Sequence, residues 1–303
     1  LKSSGKTLIV IAGPTAVGKS ALAIQLAKKF QTEIISADSR QFFKELNIGT
    51  AKPPGEDLEA IPHHFINSLS IHQEYDAAQF GREALIVINK IFLDKDYAIL
   101  CGGSGLYIKA VCEGLDEIPQ VPDEIRETLK HEYSQNGIGW LQDKMKKIDP
   151  EYFQQIDQQN PQRLMRALEI KLGTGQSISS FRKEQKLKHD FNIIKIGLEL
   201  PRPELYTRID ERMETMIGQG LFQEADFFFP FRHHHALQTV GYQEIFDFME
   251  GKYDRDEAIR LLKRNSRRYA KRQLTWFKRD PEIRWFQSHD HDEILAYILR
   301  SKI

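Results

Sequence analysis

The sequence predicts an α/β protein, a parallel sheet core with a helical insertion domain, on three observations. Short runs of branched apolar residues alternate with helical apolar periodicity. Each run ends at a small or acidic residue that opens a tight loop. Between residues 119 and 189 the strand pattern lapses and only helical patterns remain.

Thr7 to Ala12 (TLIVIA) is apolar without alternation, as in a strand covered on both faces. It ends at Gly13. Beyond a glycine-containing turn, Leu22, Leu26 and Phe30 recur at helical spacing, with Ala23 and Ala27 beside them. Glu33 to Ala37 (EIISA) gives a second strand ending at Asp38. Ala84, Leu85, Ile88, Ile91 and Phe92 mark another helix. Tyr97 to Cys101 (YAILC) is a third strand that runs into Gly102-Gly103-Ser104-Gly105. Ligands of such sheets sit at the carboxyl ends of the strands, where all three loops lie.

Within the insertion, Asn160 and Pro161 give an N-cap followed by proline in the first turn. Leu164, Leu168 and Leu172 form the apolar stripe of that helix, and Gly173 its stop. Phe191 to Leu200 (FNIIKIGLEL) reads as a strand returning to the sheet, and Arg182 to Lys188 as a basic connecting segment. The expected division is a core of residues 1–118 and 190–303 and an insertion of residues 119–189. More helices follow at about 204–217, 242–249 and 256–278.

Length, 303 residues, suits two domains. An apolar share of 41% and a charged share of 28% are ordinary for a soluble globular chain. No apolar run reaches the roughly 20 residues a membrane helix needs. Leu1 to Lys6 lacks the apolar centre of a secretory signal, so a cytoplasmic protein that does not enter membranes is expected. Cys101 and Cys112 are the only cysteines, too few for a zinc finger or a disulfide framework. The net charge is +0, so any contact with nucleic acid must come from local clusters.

Gly13-Pro14-Thr15-Ala16-Val17-Gly18-Lys19-Ser20 satisfies G-x-x-x-x-G-K-[ST], between a buried strand and an amphipathic helix as that motif requires. Glycines let the backbone wrap close to phosphate, and successive N–H groups aim inward. The helix adds the positive end of its dipole. Lys19 supplies a full charge, and the Ser20 hydroxyl suits a magnesium ion bridging phosphate oxygens. The core is therefore expected to be P-loop NTPase-like. The motif specifies a phosphorylated ligand, not hydrolysis. The third strand ends in Cys101-Gly102-Gly103-Ser104, without the acid that many ATPases hold there, which leaves a small-molecule kinase or another group transfer. Asp38, ending the second strand, would face the loop and could take a proton from an attacking nucleophile.

Six segments, in order and spacing, resemble tRNA dimethylallyltransferases of the bacterial type: GPTAVGKS (13–20), SADSRQ (36–41), IPHHFIN (61–67), GGSGLYIKA (102–110), NPQRLMRALEI (160–170) and QTVGYQEIF (238–246). The likeness runs from about residue 5 to about 285. It implies an enzyme that moves the dimethylallyl group of dimethylallyl diphosphate, with Mg²⁺, onto the exocyclic amine of the adenosine 3′ of the anticodon. Asp38 would be the general base and Thr15 would lie near the diphosphate. Arg208 or Arg212 would contact the diphosphate. Asp38, Ser39, Arg40 and Gln41 would meet the flipped adenine. Ser104, Arg126, Gln162, Arg163, Leu164, Met165 and Arg166 would touch tRNA, as would Gln238, Thr239, Val240, Gly241, Tyr242 and Gln243. The insertion would grip the anticodon stem-loop, and the protein is expected to be a monomer. Two positions depart from the family pattern: Ser104 replaces a common Thr, and Asn67 a common Asp. A kinase using ATP and a prenyltransferase acting on free adenine nucleotides are the alternatives.

Residues 260–279 contain nine Lys or Arg and no acid. Arg260, Arg264, Arg268 and Arg272 follow i+4 spacing, with Lys263, Arg267 and Lys271 adjacent. On one helix they form a stripe suited to an RNA backbone, with Arg264 and Arg268 at its centre, while Ala258, Leu262 and Tyr269 would pack inward. His233, His234 and His235 are adjacent in the chain, a poor arrangement for one metal ion. His63 and His64 are expected to be structural.

Overall fold

The computed structural model describes residues 5–182 and 186–301. Part of the expected start (residues 1–4) and part of the expected connecting stretch (residues 183–185) lie outside them.

The core begins with β1 (Thr7–Ala12), α1 (Lys19–Phe30), β2 (Ile34–Ser36), α2 (Gly55–Ala60), β3 (His63–His64), α3 (Ala77–Asp94), β4 (Tyr97–Gly102) and α4 (Gly105–Cys112). Then come α5 (Asp123–Ile148), α6 (Pro150–Phe153) and α7 (Pro161–Thr174). The chain returns through β5 (Asn192–Glu199), α8 (Arg202–Gly218), α9 (Leu221–Phe228), α10 (Gln243–Met249), α11 (Arg255–Phe277), β6 (Arg284–Gln287) and α12 (His291–Arg300). Two compact units result: Leu1–Gly114 with Leu187–Ile303, and Leu115–Lys186. The boundaries thus fall a few residues before those expected from composition.

The sheet order is β3-β2-β4-β1-β5-β6, with every pairing parallel. Pleating sends Ile9 and Ile11 of β1 into one apolar layer, with Leu22, Leu26 and Leu198. Leu8 and Val10 enter the opposite layer, with Phe80, Ala84 and Ile88 of α3. Both faces are covered, which is why β1 carries no polar alternation. A third cluster joins α8 to α11 through Met213, Leu221, Tyr242, Phe246 and Leu262. Among the described residues no helix is long and apolar enough to cross a membrane.

The unit Leu115–Lys186 has its own core, where Leu129, Leu141, Met145, Leu164 and Leu168 meet. The Asn160 side chain caps α7 by accepting from the Arg163 N–H. Two expectations fail here. The helix passes Gly173 and stops at Gly175, in the left-handed region at φ 74. Glycine at 173 instead makes room for Val121, which a Cβ would hit. Leu172 is 43% exposed, because eight residues beyond Leu164 the helix has turned about 80° away. Ala167 and Ile170 complete the buried face instead.

Leu164 is fully buried, so its side chain is packing and not a surface for RNA. Leu164→Ala should lower the stability of this unit by about 2–5 kcal/mol, by lost burial and the cavity left behind. Urea unfolding followed through Trp140 fluorescence would measure it. A loss below about 1 kcal/mol would contradict that packing role.

Candidate active site

β1 delivers the phosphate loop to the carboxyl edge of the sheet, beside the point where the strand order turns back on itself. Gly13 has φ 148, and a Cβ there would lie 2.7 Å from the Leu198 carbonyl oxygen of β5. Ala16 (φ 63) and Gly18 (φ 102) are also left-handed, a backbone that turns consecutive N–H groups toward one concavity. α1 starts at Lys19 without a side-chain cap, so its N-terminal N–H groups and dipole belong to the loop.

Two adjoining lobes open here, both lined by Thr15, Asp38, Ala51, Arg212 and Tyr269. The smaller, about 90 Å³, adds Lys19, Ser20, Cys101, Gly102, Gly103 and Gln273. The larger, about 230 Å³, adds Arg40, Ile209, Met213, Met216, Leu221, Val240 and Gly241. The smaller lobe thus adds the Lys19 ammonium and the Ser20 hydroxyl, and the larger sets Arg40 beside apolar Ile209, Met213, Met216 and Leu221. All these residues lie in the unit that holds the sheet.

Lys19 Nζ donates to the Pro14 carbonyl at 2.7 Å. Burial pushes its ammonium down to about 8; Cys101 and Asp38 oppose that shift, and Arg212 adds to it. Arg212 Nη1 donates to Thr15 Oγ1 at 3.3 Å. Desolvation lowers the Arg212 guanidinium from its usual value, and Asp38 opposes this. The side chain of Arg212 therefore lies inside the cleft. Arg208 does not: its Nη2 donates to Glu204 at 2.9 Å on the exposed side of α8, so the expected diphosphate role for Arg208 is corrected.

Asp38 follows β2, and its Oδ1 accepts the Arg40 N–H at 3.0 Å, a local turn that fixes the carboxylate. Ser104 Oγ accepts the Ser39 N–H at 3.0 Å, tying the β2 loop to the β4 loop. The serine hydroxyl is sufficient for that bond. Arg40 reaches the His235 carbonyl at 2.9 Å. Gln41 Nε2 donates to the Ala51 carbonyl at 3.1 Å, holding one cleft wall. Asn67 adopts φ 54, a left-handed backbone that asparagine tolerates, which accounts for it locally.

The 238–243 segment splits in role. Thr239, Val240 and Gly241 line the larger lobe, and Gln238 and Gln243 are exposed. Tyr242 is fully buried, with its hydroxyl on Glu224 at 2.5 Å, so its side chain is not available to RNA. The Glu224 carboxylate also accepts the N–H groups of Asn47, Ile48 and Gly49 and thereby fixes another stretch of wall. In the other unit, buried Glu169 pairs with Arg126 at 3.4 Å and Arg166 at 3.1 Å. Gln162 and Arg163 are exposed, and Met165 is half-buried.

The basic stripe is narrower than its sequence. Arg260 pairs with Glu257, Lys263 with Glu214 and Arg267 with Asp210. Acids from α8 and from the first turn of α11 thus neutralise much of it. Arg268, Lys271 and Arg272 are exposed and have no ion pair among the described residues. Arg264 is half-buried against Asn265. Tyr269, expected in the packing, lines both lobes.

His234 packs its ring against Phe231 and His72. His63 and His64 are held by the Ile61 carbonyl and by Glu33, both at 2.7 Å. Among the described residues, one set of three side chains could hold a metal: Glu113, Asp280 and Glu282. Lys195 Nζ already sits among them, at 2.7 Å from Asp280 and from Glu282.

Sequence reasoning missed Gln273, which is 7% exposed. Its Oε1 accepts the Thr15 N–H at 2.8 Å, and its Nε2 donates to the Gly103 carbonyl at 3.0 Å. One local signal existed: Ser266 and Gln273 interrupt the buried face of α11.

A parallel α/β sheet with a phosphate loop, a facing carboxylate and a buried arginine defines a protein equipped for transfer from a phosphorylated donor. The chain belongs to the IPP transferase family, whose model matches residues 41–280. It is 51% identical to a tRNA dimethylallyltransferase of Cytophaga hutchinsonii, over 97% of this chain and 96% of that protein. It is 48% identical to one from Christiangramia forsetii, with 98% of each covered. Its fold is similar to the crystal structure of a tRNA isopentenylpyrophosphate transferase from Bacillus halodurans, with TM-score 0.72 and 36% identity over 98% and 97% of the two chains. It also resembles a eukaryotic dimethylallyltransferase acting on tRNA, with TM-score 0.76 and 28% identity over 94% of this chain and 74% of that one.

Proposed function

We propose that this chain transfers the dimethylallyl group of dimethylallyl diphosphate to the exocyclic N6 amine of the adenosine 3′ of the tRNA anticodon, releasing diphosphate. The observation that carries the reading is that Lys19, Arg212, Thr15 and Asp38 all line one cleft. Cationic groups and a carboxylate are what the two halves of this reaction need.

The amine is a poor nucleophile, since its lone pair is delocalised into the purine. The allylic carbon compensates by spreading positive charge as its bond to the diphosphate oxygen breaks. Lys19, Arg212 and the loop N–H groups stabilise the departing anion electrostatically. As the new C–N bond forms, the amine proton passes to Asp38. The smaller lobe takes the diphosphate, and the base enters through the larger lobe after leaving its stack. The Ser20 hydroxyl is a hard oxygen donor lining the smaller lobe and would hold Mg²⁺ together with the diphosphate. When bound, the ion neutralises diphosphate charge.

Exposed Arg268, Lys271 and Arg272, with Gln162 and Arg163 of the inserted unit, serve the RNA backbone. The inserted unit takes the anticodon stem-loop. A small-molecule kinase would share the loop but has no use for these surfaces. Incubating the protein with Mg²⁺, dimethylallyl diphosphate and unmodified tRNA should yield a nucleoside heavier by one dimethylallyl group on mass spectrometry. ATP turnover without that product would overturn the reading.

The lowered Lys19 ammonium sets a pH limit. A bound anion favours the charged lysine and raises its pKa. Affinity for the diphosphate is therefore full below about pH 8 and falls as pH rises from there toward the bound-state pKa, by up to about tenfold per unit. Calorimetric titration of pyrophosphate between pH 7 and 9.5 should show this, and Lys19→Met should bind weakly with no such limb. A wild-type affinity that stays level to pH 9.5 would remove Lys19 from the anion site.

A further inference from the structure

We infer that Gln273 is a positioning residue for the transfer, acting through Thr15; the inference rests on the reading of the cleft given above. Gln273 sits on α11, 258 residues along the chain from Thr15. Its side-chain amide is placed between two loops at the carboxyl edge of the sheet. The carbonyl oxygen takes the Thr15 N–H, and the amino group gives to the Gly103 carbonyl. Both ends thus reach backbone, and the amide also hydrogen-bonds the Tyr269 side chain; the donor and acceptor pattern of an amide suits both loops at once. A carboxylate would meet the Gly103 carbonyl with a second acceptor, and an aliphatic chain would leave both backbone groups without that partner.

The surrounding glycines show how closely α11 is pressed onto the site. A Cβ at Gly103 would strike Gln273 Nε2, and a Cβ at Gly105 would strike the Trp276 ring. The phosphate loop is therefore braced from the far side of the cleft by a helix that also carries Arg268, Lys271 and Arg272 on its outer surface. Thr15 is doubly held: its N–H by Gln273, its hydroxyl by Arg212. Thr15 lines both lobes, so its placement bears on the bond that breaks. Losing the amide lets the first turn of the loop drift, and a misplacement of about 1 Å can cost on the order of 100-fold in rate.

The test is a double-mutant cycle on the wild-type transfer reaction, whose activity is established first. Failure of wild type to prenylate tRNA would sink the proposed function, whereas the cycle addresses Gln273 alone. Gln273→Met, which keeps length and removes both bonds, should lower kcat and raise KM for dimethylallyl diphosphate, with kcat/KM down about 10- to 100-fold. The Kd for tRNA should stay within about twofold. In a Thr15→Ala background the same change should cost less than about threefold, because the group it positions is gone. Additive losses in the cycle would overturn the inference, as would unchanged kinetics or a matching loss of tRNA affinity. Should Gln273→Met not fold, Gln273→Leu, which also removes both bonds, runs through the same cycle with the same criteria.

Discussion

Asp38→Ala should reduce turnover by about 10²- to 10⁴-fold while tRNA affinity stays within about threefold. The carboxylate is the one group lining both lobes that can take a proton from an incoming amine. It also accepts the Arg40 N–H, so alanine removes a turn as well as a base. Asp38→Asn separates the two. The amide oxygen can still accept that N–H, but the side chain can no longer take up a proton. If proton acceptance is the role, Asn is as inactive as Ala in single-turnover assays at saturating diphosphate, and both bind tRNA in filter assays. If Asn restores turnover to within about tenfold, Asp38 serves the loop and another group serves the amine.

Much of this cleft was legible because its parts are local. A strand, a glycine-bearing turn, Lys19-Ser20 and an amphipathic helix are contiguous, so spacing alone located the strand, turn and helix that the structure shows there. Buried parallel strands announced themselves as unbroken apolar runs. The two-residue β3 and the four-residue β6 did not, because so short a pairing leaves no period to read. Nor did the braces. Gln273 reaches Thr15 across 258 residues, and Glu224 gathers the N–H groups of residues 47 to 49 from α9. Contacts like these depend on how helices pack, and a single sequence carries no local trace of the partner.

Charge runs misled for a related reason. The 260–279 stretch contains no acid, yet Glu214 and Asp210 of α8 reach Lys263 and Arg267. Leu164 and Tyr242 show the converse. A segment can resemble an RNA-contacting motif while individual side chains within it belong to the core.

The two arginines of α8 give the sharpest remaining contrast. Four residues apart, they lie about 40° apart around the helix, so periodicity could not choose between them. The structure separates them by environment: Arg212 is desolvated beside Thr15, and Arg208 is exposed on Glu204. Arg212→Ala should cost about 10²- to 10³-fold in kcat/KM for the diphosphate, as when one donor to a developing anion is removed. Arg212→Lys should recover only part, since a point charge lacks the planar fork. Arg208→Ala forfeits an exposed i,i+4 pair, so kinetics should match wild type and stability should change by less than about 0.5 kcal/mol. A second readout follows from the charges. Arg212 helps hold the Lys19 ammonium down, so its removal should raise that pKa and move the alkaline fall in pyrophosphate affinity to higher pH. A neutral change elsewhere on α8 has no means of producing that shift. Equal losses from Arg208→Ala and Arg212→Ala, or an alkaline limb that stays in place, would mean that the anion is held by some other cation and that the Arg212–Thr15 contact is only packing.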